Sequence, residues 1–223
     1  PHNFRGAMLS VIRLPDFLPF CSYLFLLYAF TAMAPSVFSL IEKEVMGLGD
    51  NQVVWLGIGL MVGCVVGYFT GGKAVDGVGT KSVFLCCHVG FSLIMAGFAL
   101  GRAAWPGGAV PLVGVLSFLF GVTMAAASIA LTSEMMALLP AKDKSLAASF
   151  CMGMYMGGGG LGGVLSGALL KSGMLRSQWT IGSLALTDYD AVLLLCSAMV
   201  ALLMVTLGHV RSVIGRADWV AGR

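Results

Sequence analysis

Apolar residues fill long stretches of this chain, and the charged residues cluster between them. The apolar runs lie at 17–41, 53–71, 83–101, 110–133, 146–170 and 190–208. Each approaches or exceeds the ~20 residues with which an α-helix crosses a hydrocarbon core about 30 Å thick. The pattern predicts six transmembrane helices, an all-α membrane protein. Turn chemistry marks the joints: Gly47-Leu48-Gly49-Asp50 precedes the second run, Trp105-Pro106-Gly107-Gly108 the fourth, and Thr187-Asp188 the sixth, where either residue can cap a helix. Every connection is short except 171–189. The chain divides into an amino-terminal segment, 1–16, a transmembrane domain, 17–208, and a tail, 209–223.

Composition sharpens the picture. The 223 residues are 58% hydrophobic and only 10% charged, against roughly 25% charged in an average soluble domain. A water-soluble fold of this length could not cover its surface, so the lipid bilayer is the expected surrounding. The net charge of +3 is spread over basic residues that form no continuous stripe, which sets nucleic acid aside. Six cysteines fall inside apolar segments without CxxC or zinc spacing and read as small buried hydrophobes. No metal, cofactor or disulfide framework is implied. The chain opens on Pro1, and the basic stretch around Arg5 and Arg13 leads into a run too long for a signal-peptide core, which reads as a piece of a longer protein.

Basic residues near span ends tend to stay in the cytoplasm. With the amino terminus inside, Arg5, Arg13, Lys73, Lys81, Lys142, Lys144, Arg211, Arg216 and Arg223 are cytoplasmic, and Lys43, Arg102, Lys171 and Arg176 are not. Both termini are therefore expected in the cytoplasm, in a membrane such as the bacterial inner membrane. No internal repeat is visible by eye, although an inverted three-plus-three repeat can be weak in sequence.

The short connection after the second run, Gly72-Lys73-Ala74-Val75-Asp76-Gly77-Val78-Gly79-Thr80-Lys81, reads G-x-x-x-D-x-x-G-x-K. Gly79 can take a turn conformation closed to most residues, and Asp76 and Lys81 can make charge-assisted bonds at a membrane face. In this place the sequence resembles the major facilitator superfamily, whose loop between the second and third helix of each half carries G-x-x-x-D-x-x-G-x-R/K. Gly77 stands where a basic residue is common, an erosion typical of the second half of that twelve-helix chain. Thr132-Ser133-Glu134-Met135-Met136-Ala137-Leu138-Leu139-Pro140 is similar to the family's acidic residue and proline at the cytoplasmic end of the tenth helix. The resemblance implies a cytoplasmic charge network of Glu134, Asp76 and Lys81 that steadies the outward-facing state. The same residues also read as an interfacial glutamate and a solvated loop.

Glycine placement adds a third signal. Gly59, Gly63, Gly67 and Gly71 recur every fourth residue, one face of a helix that lets another helix approach closely. The fifth run holds Gly153, Gly157, Gly158, Gly159, Gly160, Gly162, Gly163 and Gly167. By the resemblance these are the eighth and eleventh helices, with Gly157, Gly160, Gly163 and Gly167 among the packing positions. They would face a missing amino-terminal six-helix half or a second protomer.

Polar residues inside the runs are few. Pro35 should weaken the first helix by removing a backbone donor. The resemblance makes the first and fourth spans cavity-lining, so Tyr28 and Thr31, with Ser117 and Thr123, become candidate substrate contacts; each also reads as an interhelical bond. His88 is the one histidine within a span, and no carboxylate lies deep in any span.

Enzyme readings lack their chemistry. Asp76-Gly77 begins a motif resembling CDP-alcohol phosphatidyltransferases, but Ile94 and Phe98 stand where metal-binding acids are required. Gly90-Phe91-Ser92-Leu93 fits an intramembrane serine protease by letter, yet its nearest histidine, His88, is one turn away on the same helix. The expectation is a secondary transporter that moves a small organic solute, neutral or amphipathic, by alternating access. A non-transporting membrane scaffold or receptor is the alternative.

Overall fold

The structure is a computed structural model that describes residues 12–13, 17–138, 144–175 and 178–207. Most of the expected segments 1–16 and 209–223, together with Pro140, Lys142, Arg176, Arg211, Arg216 and Arg223, lies outside the described residues.

Six helical rods run back and forth. The first is composite: α1 (Phe17–Thr31), a turn, α2 (Ala34–Leu40) and a π turn (Ile41–Val45). It is followed by α3 (Asp50–Val78), α4 (Thr80–Ala104), a 3-10 turn (Pro106–Gly108), α5 (Ala109–Leu138) and α6 (Lys144–Lys171). A hairpin of β1 (Gln178–Ile181) and β2 (Leu184–Thr187) then leads into α7 (Asp188–Leu207). Five rods are long and apolar enough to cross a bilayer: Phe17–Val45, Asp50–Val78, Thr80–Ala104, Ala109–Leu138 and Asp188–Val205. The remaining rod, α6, has 28 residues with no acid or base between Lys144 and Lys171. Its glycines dilute its hydropathy without adding charge.

The rods overrun the apolar runs because a helix persists through the headgroup layer after its apolar residues end. The second run stops at 71, whereas α3 continues to Val78. At 1.5 Å per residue its length is about 44 Å, which a tilted span accommodates. The break in the first rod follows from Pro35, which sits in the first turn of α2. Its ring and missing N–H interfere with the turn before it, and the chain answers with the turn at Ala32-Met33.

The long connection before α7 is not a plain loop. Trp179 pairs with Leu186 and Ile181 with Leu184 in an antiparallel ladder. Gly182, at φ 61°, opens the two-residue turn. Leu186 is buried, and the Trp179 indole Nε1–H donates to the Thr187 carbonyl at 3.0 Å.

The main helix pairs are α3 with α5, α1 with α6, α4 with α5, and α4 with α7. Counting rods, these are two with four, one with five, three with four, and three with six. Exchanging rods one to three for rods four to six turns the one–five pair into the two–four pair and leaves three–six unchanged. These two relations are those of an inverted three-plus-three repeat, none of which is visible in the sequence; the three–four pair departs from it, because its counterpart, rods one and six, packs much less closely. One end of the bundle carries the turn at 46–49, the 3-10 turn and the hairpin; the other carries Gly79.

Candidate functional site

Without a hydrophobic force between helices in lipid, association depends on close contact and interhelical hydrogen bonds. Glycine supplies the contact. On α3, Gly63, Gly67 and Gly71 face the backbones of Phe118, Val122 and Ala126 on α5, so closely that a methyl group at any of them would collide. Gly121 returns the contact against Leu60. On α6, Gly158 faces Phe25 and Gly162 faces Ala29 of α1 in the same way. Gly59, Gly160, Gly163 and Gly167 have open space beside them, and Gly157 touches only the edge of the Phe25 ring. The glycine contacts are therefore made within this chain, and in α6 they run through Gly158 and Gly162. Large apolar side chains stay exposed on the same two helices, among them Trp55, Met61 and Phe69 on α3 and Met156, Val164 and Leu165 on α6.

Halfway along the bundle, rods one, three, four and five enclose a small cavity lined by Tyr28, Thr31, Phe91, Met124, Ser128 and Tyr155, among others. The Tyr28 and Tyr155 rings stack with centroids 3.8 Å apart. Gly159 makes room for the Tyr28 ring, which a methyl group would strike. Thr31 spends its hydroxyl on the Leu27 carbonyl at 2.9 Å. Of the four candidate contacts, Tyr28 and Thr31 reach this cavity. Ser117 is buried elsewhere, its hydroxyl without a partner among the described residues. Thr123 donates to the Leu119 carbonyl at 2.9 Å and lines a groove with Thr70 and Cys86. Met124 and Ser128 represent the fourth rod instead.

His88 is almost wholly buried and uses both ring nitrogens. Its Nδ1–H donates to the Phe84 carbonyl at 2.7 Å, so Nε2 is the acceptor that receives the Tyr23 hydroxyl. This assignment leaves a neutral ring with both positions filled.

At the Gly79 end the loop is reduced to one residue. Gly79 stands at φ 83° and ψ 156°, a glycine conformation, and its N–H donates to the Val75 carbonyl at 3.1 Å. Gly72 and Asp76 therefore lie in the last turns of α3, and Lys81 in the first turn of α4. Among the described residues Asp76 and Lys81 make no ion pair. Glu134 lies in the last turns of α5, and the chain just beyond it lies outside the described residues.

At the hairpin end a buried ion pair joins α4 to α7: Arg102 donates to Asp190 at 2.5 Å. The same Asp190 oxygen accepts the Thr187 N–H at 2.8 Å and the Thr187 hydroxyl at 2.9 Å, as in a capping box. Arg102 Nε and the other Asp190 oxygen are buried without partners among the described residues. Sequence reasoning missed this pair. It counted Arg102 as a loop charge, and the only signal was the Thr187-x-x-Asp190 spacing that marks a helix start. Deeper along the same interface, Ser92 and Ser197 exchange hydrogen bonds: each hydroxyl donates to the other's carbonyl, at 3.0 Å and 2.8 Å.

No family model matches the chain. Among curated proteins it is similar to a gallate transporter of Pseudomonas putida, 32% identical over 124 residues, 56% of this chain and 26% of that protein. Among solved structures it is similar to the major facilitator superfamily proton:xylose symporter XylE bound to 6-bromo-6-deoxy-D-glucose. The TM-score is 0.67 at 16% identity, over 94% of this chain and 47% of that one. The inward-open xylose transporter XylE from E. coli gives 0.60 at 13% identity, over 92% and 52%. The chain thus spans about a quarter of the length of the curated relative and about half that of the solved transporters. It is an integral membrane protein with the fold of one half of a major facilitator superfamily transporter.

Proposed function

We propose that this half-transporter fold carries a small organic solute across the membrane by alternating access, together with a second six-helix unit. The reading is supported most by the likeness of 94% of the chain to 47% of a solute symporter. A relative named for gallate transport agrees with an organic solute. The cavity wall carries no acidic or basic side chain among the described residues, in keeping with a neutral or amphipathic solute. The eroded motif around Asp76 supports reading it as the second half, and the distribution of Lys and Arg supports both termini in the cytoplasm. In this reading Asp76, Lys81 and Glu134 steady one state from the cytoplasmic side. The exposed apolar faces of α3 and α6 seat the second unit.

The test is uptake into proteoliposomes. Assembled with its second unit, the protein should show saturable uptake of an organic solute. The purified, monomeric segment alone should show none. Robust uptake by the segment alone would refute the two-part reading, and saturable uptake of only a highly charged metabolite would refute the solute class. A scaffold or receptor would carry nothing in either form.

A further inference from the structure

Tyr28 and Tyr155 approach each other from different helices at the same depth. Each lies about 17 Å from the Gly79-end start of its helix at 1.5 Å per residue, near the middle of a core about 30 Å thick. Their rings stack with a 3.8 Å centroid separation and a 23° tilt. The cavity beside them is about 20 Å³, room for about one water, so in this conformation the two rings fill most of the space between the rods. Phe84, Phe91 and Met124 complete an aromatic and sulfur-bearing wall, surfaces that favour flat π systems.

Resting on the transport reading above, we infer that Tyr28 and Tyr155 determine specificity by clamping the flat face of an aromatic ring in the solute. Once the rods part, a planar ring takes the place that each tyrosine ring fills for the other. A carboxylate on such a ring meets no cation on this wall, so its counter-charge comes from the second unit. Thr31 already uses its hydroxyl on a carbonyl, and the Ser128 and tyrosine hydroxyls do not distinguish a flat ring from a puckered one, which leaves ring stacking to make that distinction.

The experiment compares benzoate with cyclohexanecarboxylate, which share the carboxylate and the six-carbon ring but differ in flatness. Uptake of each is measured with the assembled protein in proteoliposomes. The expected result is a higher kcat/KM for benzoate. In the Tyr28→Leu, Tyr155→Leu double variant the ratio should fall about fivefold to tenfold, while uptake of cyclohexanecarboxylate persists. The Tyr28→Phe, Tyr155→Phe variant should keep the ratio, because stacking survives loss of the hydroxyls. Sustained cyclohexanecarboxylate uptake shows that the leucine variant is folded; if that variant is inactive, Gly159→Ala, which displaces the Tyr28 ring, should lower the same ratio. An unchanged ratio in an active leucine variant, or carriage of aliphatic solutes alone, would overturn the clamp and leave transport standing. Absence of any solute uptake by the assembled protein would overturn the transport reading and the clamp with it.

Discussion

The helices of this bundle are joined in two different ways. Rods two and four, and rods one and five, meet through glycine against bare backbone: Gly63, Gly67 and Gly71 of α3 against α5, and Gly158 and Gly162 of α6 against α1. Rods three and six meet through directional polar groups, the Ser92–Ser197 exchange within the span and the Arg102–Asp190 pair at the hairpin end. A glycine face is smooth, and a shift of one helix along the other changes its contacts gradually. Reciprocal hydrogen bonds hold at one register only. In the proposed transport cycle this contrast makes the glycine joints the place where rods shift, and the third and sixth rods a fixed strut.

The comparison can be broken at several points. The largest effect is expected at the strut's outer end. Asp190→Ala strands the buried Arg102 guanidinium and should cost about 3–5 kcal/mol, read as a large drop in the thermal transition of the purified protein. Replacing both members together, Arg102→Met with Asp190→Leu, should recover most of that loss. Next come the glycine joints. Gly67→Ala drives a methyl group into the Val122 backbone and should cost about 1–3 kcal/mol. The same change at Gly160, which has open space, should cost nothing measurable; equal effects at the two positions would remove the distinction between packed and open glycines. Among the changes that break a joint the smallest effect belongs to Ser92→Ala, about 0.6 kcal/mol, as for interhelical hydrogen bonds in membranes generally. Linking Ser92→Cys to Ser197→Cys by a disulfide should leave uptake by the assembled protein unchanged, because a strut does not shear.

Much of this architecture was legible in the sequence for simple physical reasons. A bilayer demands long apolar runs, and the runs around Leu60, Phe91 and Phe120 announced their helices. Pro35 announced the break in the first rod, and Gly79 the tight joint between α3 and α4. Helical phase was harder. Eight glycines in α6 offer nearly every face, and only the neighbour decides that Gly158 and Gly162 make the contact. The same ambiguity hid Tyr155 among glycines, and put Ser117 and Thr123 forward where Met124 and Ser128 line the cavity. The Arg102–Asp190 pair joins distant parts of the chain, and the local Thr187-x-x-Asp190 spacing marks a helix start without pointing to Arg102. The hairpin had one, with Trp179, Ile181, Leu184 and Leu186 alternating about Gly182-Ser183, but a short polar-flanked connection between membrane runs reads first as a loop.

Two-sided accessibility of the midplane cavity tests the account most directly. In a background with the exposed Cys86 replaced by alanine, Ser128→Cys places a thiol on the cavity wall of the protein assembled with its second unit. Alternating access predicts that a membrane-impermeant thiol reagent modifies this cysteine when added to either face of the membrane, and that saturating solute slows both reactions. Modification from neither face, or from one face only whatever the solute concentration, would contradict it.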